Sequence, residues 1–283
     1  MTRFVISPQT RVGFISIRVH NLDAMRAWYS NALGLVVLQD NGVRVLMGIG
    51  ADHHVILDLE AGGRMLKQLP AGVAGYSLNV PSRVALLGLA AGLTARGVPV
   101  LGWHQTGFSL GFAVRDPEQN LVLVEYDRGT QADVLRGYDF ADGRLTPVKQ
   151  PRQSTPPLAV MPGGTRIGRF VIRTADFATT TTYLRDVLGF VRQQHEQDFS
   201  FLTSGDAVRH IGATVQLDVK ARPRRAEHAG VQYVNLVVPD KMVLARMYAN
   251  LVSQGWHDFY FDPGANYLMV TGPNRLTLWF SVR

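Results

Sequence analysis

The stretch 11–35, RVGFISIRVHNLDAMRAWYSNALGL, returns without a gap 155 residues later as 166–190, RIGRFVIRTADFATTTTYLRDVLGF. Arg11/Arg166, Gly13/Gly168, Ile17/Ile172, Arg18/Arg173, Leu33/Leu188 and Gly34/Gly189 are identical. A repeat at this spacing requires the chain to build one local structure twice. Each copy reads as a strand followed by a helix. The run Phe14-Ile15-Ser16-Ile17-Arg18-Val19 alternates as a strand does. Asn21 or Asp23 can cap a helix whose apolar face is Met25, Trp28, Tyr29 and Leu33. Gly34 stands where a C-terminal cap tolerates positive φ. Asp176 and Gly189 punctuate the second copy in the same way.

A second phrase repeats at an offset of 158: GVAGYSLNVP from Gly72 and GVQYVNLVVP from Gly230. Helical periodicity follows each phrase, at 84–95 and 242–252, and stops at Gly97 and Gly255. Strand patterns fill the remainder, with turns at Asp40-Asn41-Gly42, Asp116–Asn120 and Thr271–Asn274. The pattern predicts an α+β chain of four βαβββ modules at roughly 11–61, 72–128, 166–219 and 230–283. Pro147–Gly164 is proline-rich and reads as a linker, with a short helix expected at Ala132–Gly137. The expected division is therefore 1–130 as a first paired half, 131–164 as helix and linker, and 165–283 as a second paired half. Each half is expected to form its own curved mixed sheet.

Composition narrows the function classes. With 46% hydrophobic and 18% charged residues the chain can bury a sizeable core. It has no cysteine, which excludes disulfides and thiolate sites. No apolar run approaches the ~20 residues of a membrane helix, and no signal-peptide stretch opens the chain, so a cytoplasmic protein with no membrane partner is expected. The net charge of +7 reads as a solvated surface or a taste for anionic ligands, not as a nucleic-acid footprint.

Three phrases carry a family resemblance: the strand–helix with Trp28-Tyr29 and Leu33-Gly34-Leu35, the run Tyr76–Arg83, and Val114–Asn120 leading to Glu125–Arg128. Together the chain resembles the vicinal oxygen chelate superfamily of glyoxalases, bleomycin-resistance proteins and extradiol dioxygenases. It is most similar to the four-module catechol 2,3-dioxygenase branch. The resemblance implies a divalent metal held by His, His and Glu, a small-molecule ligand, and room for a homodimer. The corresponding positions here are Phe14, Gly75 and Leu123 in the first half, and Arg169, Tyr233 and Thr277 in the second. None carries a family ligand. The expectation is accordingly no metal cofactor. The alternative is Fe(II) with ligands relocated among His53, His54, Asp58, Glu60 and His210.

In the second half the replaced positions are polar. Arg169, Tyr233 and Thr277 are expected to converge, with Arg173, Asn235 and Trp279 on inward steps of the same strands. Arg169 would hold negative charge and Tyr233 would donate a proton, making them the catalytic candidates. Arg173, Asn235, Thr277 and Trp279 are the substrate-binding candidates, Trp279 as an aromatic wall. The competing reading pairs Arg169 internally with Glu196, Asp198 or Asp218. The function expected is a metal-independent enzyme or binder for a small anionic aromatic or carbonyl compound. The alternatives are an Fe(II) extradiol dioxygenase and a drug-sequestering resistance protein.

Overall fold

The computed structural model describes residues 3–50, 52–67, 70–128, 143–152, 155–205 and 212–282. The helix expected at Ala132–Gly137 lies outside the described residues. The first module is β1 (Arg11–Val19), α1 (Leu22–Leu33), β2 (Val36–Asp40), β3 (Arg44–Ile49) and β4 (His54–Ala61). The second is β5 (Gly72–Val80), α2 (Arg83–Ala95), β6 (Gly102–Gln105), β7 (Ser109–Arg115) and β8 (Leu121–Asp127). A short β9 (Thr146–Val148) lies in the linker and edges onto β6, which the sequence pattern did not suggest. The third is β10 (Arg166–Thr174), α3 (Phe177–Thr182), β11 (Val191–His195), β12 (Phe199–Thr203) and β13 (Gly212–Leu217). The fourth is β14 (Gly230–Val238), α4 (Lys241–Ser253), β15 (Phe259–Asp262), β16 (Tyr267–Thr271) and β17 (Thr277–Val282).

The local signals hold where they are physical. Asn21 caps α1 by accepting from the Ala24 N–H, and Gly34 ends it at φ 68°. In the third module the run of threonines at 179–182 gives a short helix that passes into a π turn at Tyr183–Val187, as expected where β-branched residues crowd a helix.

The pairing of modules departs from the sequential halves 1–130 and 165–283. One sheet runs β15-β16-β17-β14-β1-β4-β3-β2 and the other β11-β12-β13-β10-β5-β8-β7-β6-β9. The first module thus shares a sheet with the fourth, and the second with the third. The joints are antiparallel, β1 on β14 and β10 on β5, and each contains a register shift beside a glycine. A Cβ on Gly13 would lie 2.1 Å from Asn235 Oδ1, and one on Gly168 2.6 Å from the Asn79 carboxamide. At each joint the repeated glycine leaves room for an asparagine of the partner module, but the two asparagines stand at different places in the repeat, Asn235 opposite Ser77 and Asn79 opposite Val237 in the 158-residue alignment.

The first two modules meet through α1 instead of a shared sheet. Tyr29 of α1 donates to Asp116 Oδ2 at 2.8 Å, and Tyr76 of β5 donates to Tyr29 at 2.8 Å. Asp116 Oδ1 accepts the backbone N–H groups of Glu118 and Asn120, which shapes the turn before β8. Burial raises the Asp116 carboxyl to about 6 against these hydrogen bonds.

Candidate functional site

The helices pack on one face of each sheet, so strand alternation sends Phe14, Ser16 and Arg18 of β1, and Arg169, Val171 and Arg173 of β10, to the opposite face. Two clefts result, related by the internal repeat, and they differ in content.

The cleft of the second and third modules is filled. Arg169 is 1% exposed. Its guanidinium donates to both oxygens of Glu125, at 3.2 and 2.8 Å, to Ser109 Oγ at 3.3 Å and to the Gly143 carbonyl at 2.9 Å. His104 Nε2 lies 3.1 Å from Glu125. Burial opposes ionisation of Glu125, but the Arg169 charge and the His104 contact outweigh it and hold the carboxyl at about 2. Phe108, Phe199 and Phe201 form a separate buried cluster beneath the guanidinium. Residues 143–144 lie across the opening: a Cβ on Gly143 would strike the Phe201 ring at 2.4 Å, and Arg144 stacks on Phe199.

The cleft of the first and fourth modules is open. Tyr233 of β14 stands across from Thr277 of β17, and Asn235 across from Trp279. Phe14, Tyr233 and Trp279 meet edge to face, with centroids 5.3–6.0 Å apart, and Tyr267 extends the cluster at 5.6 Å from Trp279. The Trp279 indole Nε1 is buried with no hydrogen-bond partner. Beside this wall a cavity of about 310 Å³ is lined by Arg18, Arg224, Arg225, Gln232, Tyr233, Met269, Arg275 and Thr277. The Tyr233 hydroxyl donates to Asp58 Oδ2 at 3.0 Å, and Asp58 also receives Arg44 through two bonds of 2.6 Å. Burial, with the Asp58 charge adding, pushes the Tyr233 phenol up to about 12. Tyr233 is therefore a fixed donor, not a base.

The family metal does not fit this donor set. Among the described residues no three His, Cys, Asp or Glu side chains gather as a metal site. The relocation candidates are otherwise engaged. Asp58 is neutralised by Arg44, and Glu60 pairs with Arg18 at 2.7 Å while receiving Gln232. His54 lines a different cavity, between the sheets, and His53 adopts φ 46° in the turn before β4. His210 lies outside the described residues. A cation here would have to displace a guanidinium.

The structure divides the residues singled out in the sequence. Tyr233 and Thr277 line the open cavity, and Trp279 forms its aromatic flank. Arg169 is in the other sheet, so its expected convergence with Tyr233 does not occur. The internal acid that Arg169 meets is Glu125, supplied by the second module across the β10–β5 joint, and not Glu196, Asp198 or Asp218. Arg173 pairs with Asp218 in that same sheet. Asn235 is 3% exposed, and its Nδ2 donates to the Trp279 carbonyl and Ser281 Oγ. Register also shifts one equivalence: Gly75 faces Leu121 as Tyr233 faces Thr277, so Thr277 matches Leu121 and Trp279 matches Leu123. The residues that sequence reasoning missed are Arg18, Arg224, Arg225 and Arg275. The run Arg222-Pro223-Arg224-Arg225 was the available signal.

A family model described as the Glyoxalase/Bleomycin resistance protein/Dioxygenase superfamily matches residues 11–124. Catechol-2,3-dioxygenase of Bacillus subtilis (strain 168) is 22% identical over 248 residues, covering 83% of this chain and 85% of that protein. Biphenyl-2,3-diol 1,2-dioxygenase 3 of Rhodococcus globerulus is 24% identical over 148 residues, 50% of this chain and 78% of that protein. Among solved structures, a putative dioxygenase from Bacillus subtilis subsp. subtilis str. 168 superposes with a TM-score of 0.65 at 14% identity, over 99% of this chain and 86% of that one. At that identity the likeness is one of fold.

Proposed function

We propose a binder or metal-independent enzyme for a small anionic aromatic compound, held in the cleft of β1, β4, β14 and β17, in a chain whose residues 11–124 match the glyoxalase/bleomycin resistance protein/dioxygenase superfamily. The observation that carries this reading is one cavity lined both by Tyr233, which packs edge to face on Phe14 and Trp279, and by Arg18, Arg224, Arg225 and Arg275, of which Arg18 alone pairs with an acid among the described residues. Phe14, Tyr233 and Trp279 offer ring edges and faces to an aromatic group. Arginine at the rim supplies charge and a planar fork for a carboxylate or phenolate. The names of the two relatives, dioxygenases of catechol and biphenyl-2,3-diol, agree with an aromatic ligand.

The chemistry open to these side chains is positioning and hydrogen-bond donation. Tyr233, oriented by Asp58, can donate toward a developing oxyanion, but its raised pKa keeps it from abstracting a proton. Extradiol cleavage through Fe(II) finds no donor set among the described residues. The test is calorimetric titration of benzoate against cyclohexanecarboxylate and benzyl alcohol. Benzoate should bind most tightly, and Trp279→Ala should weaken it by about tenfold. Iron-dependent ring opening of catechol, with benzoate inert, would overturn the proposal.

A further inference from the structure

Resting on that reading, the geometry points to a ligand that carries two negative charges, a dicarboxylate or a phosphate monoester on the aromatic ring, seated against Arg224, Arg275 and Arg18. Four arginines, Arg18, Arg224, Arg225 and Arg275, line the cavity, and Arg18 and Arg275 are close enough to act electrostatically on Arg224. Glu60 answers one of them, through its 2.7 Å contact with Arg18. Among the described residues no carboxylate lies within ion-pair distance of Arg224, Arg225 or Arg275, so at least two positive charges are left facing the cavity. A monoanion would leave one of them unanswered.

Each arginine is held in place by something other than an acid. Arg224 is half-buried and donates to the carbonyls of His228 and Gly230, at 3.1 and 2.9 Å. Burial, with Arg18 and Arg275 adding, lowers its pKa to about 10. Arg18 donates to the Ala226 carbonyl at 2.8 Å, while its Nε is buried without a partner. Arg275 follows Asn274 in a turn where both residues adopt positive φ, 56° and 57°. A left-handed arginine is strained, and glycine or asparagine would serve the turn better. Asn274 Nδ2 fixes this turn to Thr174 Oγ1 at 3.1 Å. Like charges gathered without an acid repel one another, and an anionic ligand relieves that repulsion.

The experiment titrates the protein with phthalate, phenyl phosphate, benzoate and benzamide in mildly alkaline buffer. Phthalate or phenyl phosphate should bind at least about tenfold more tightly than benzoate, one charge-assisted contact being worth that much. Which of the two wins distinguishes dicarboxylate from phosphate. Arg275→Gln, at an exposed turn, should erase the advantage of the dianion, and Arg275→Lys should restore part of it. Benzoate binding as tightly as both dianions would overturn the dianion assignment and leave the aromatic-anion cleft standing. Failure of benzoate and both dianions alike would overturn the cleft itself.

Discussion

Arg169 is the residue whose substitution most sharply separates structure from function. Arg169→Leu removes the guanidinium from a contact with Glu125 in which each residue is 1% exposed. Truncating one side of a buried ion pair leaves the other charge stranded, at a cost of about 3–5 kcal/mol. The Glu125 carboxyl gives a second route to the magnitude. It is held at about 2 against a reference of 4.5, and a gap of that size corresponds to roughly 3 kcal/mol of stability. No solvent screening discounts either figure, because the pair is dry. The double variant Arg169→Leu/Glu125→Leu should recover most of the loss, since charge and countercharge then leave together.

The sign of the pH dependence is also determined. The folded-state pKa of Glu125 lies below its unfolded value, so its contribution is present above about 4.5 and is lost as pH falls through about 2. In Arg169→Leu burial dominates and the folded-state pKa rises above the unfolded one. The variant should then gain stability as pH falls through that raised pKa, the reverse of the parent. Urea unfolding followed by tryptophan fluorescence, at neutral and acid pH, reads both effects. Benzoate titration of the folded variant should match the parent, since Arg169 belongs to the filled cleft. A variant as stable as the parent that has lost benzoate binding would refute the reasoning and return Arg169 to the ligand site.

Three further outcomes follow from the fold. Asp116, raised to about 6 by burial, should make the parent more stable as pH falls from above 6 toward the unfolded carboxyl pKa of about 4, and Asp116→Asn should flatten that slope in urea midpoints. Gly13→Ala should cost about 1–3 kcal/mol by overpacking, because its methyl would sit 2.1 Å from Asn235 Oδ1; the shift should shrink in the Asn235→Ala background. Separate fragments spanning the sequential halves should each fail to fold as monomers by hydrogen exchange, and mixing them should restore protection in β1 and β14; a protected, monomeric first fragment would contradict the paired sheets.

The elements were legible in the sequence because their signals are local. Asn21, Gly34, Asp40-Asn41-Gly42 and the alternation of β1 act over a few residues, and each appears where its chemistry places it. The pairing of modules was not legible, and the reason is physical. Gly13 and Gly168 each make room for an asparagine of another module, but Asn235 and Asn79 stand at different positions of the repeat, so no shared sequence signal marks the partners. The choice is made by long-range packing, in which α1 meets the second module through the buried Tyr29–Asp116 contact and leaves β1 free to take β14. The error about Arg169 follows from that choice, since Glu125 becomes its neighbour only once β10 joins β5.

The same pairing explains how one scaffold carries two unlike clefts. The β1–β14 and β10–β5 joints place Phe14 where the other cleft has Arg169, and the registers of β17 and β8 place Ser281 where it has Glu125. The charge pair that seals one cleft is thus replaced in the other by a ring and a hydroxyl. The ion pairs of the open cleft, Arg44–Asp58 and Arg18–Glu60, stand to the β4 side of β1 and do not cover the Phe14–Tyr233–Trp279 cluster. Its charges stand at the rim, on Arg18, Arg224 and Arg275, and two of these meet no acid among the described residues. A filled cleft stabilises the fold and an open one leaves its polar groups uncommitted, and this asymmetry between the repeats is the ground on which the proposed ligand site is placed on the β1–β14 side.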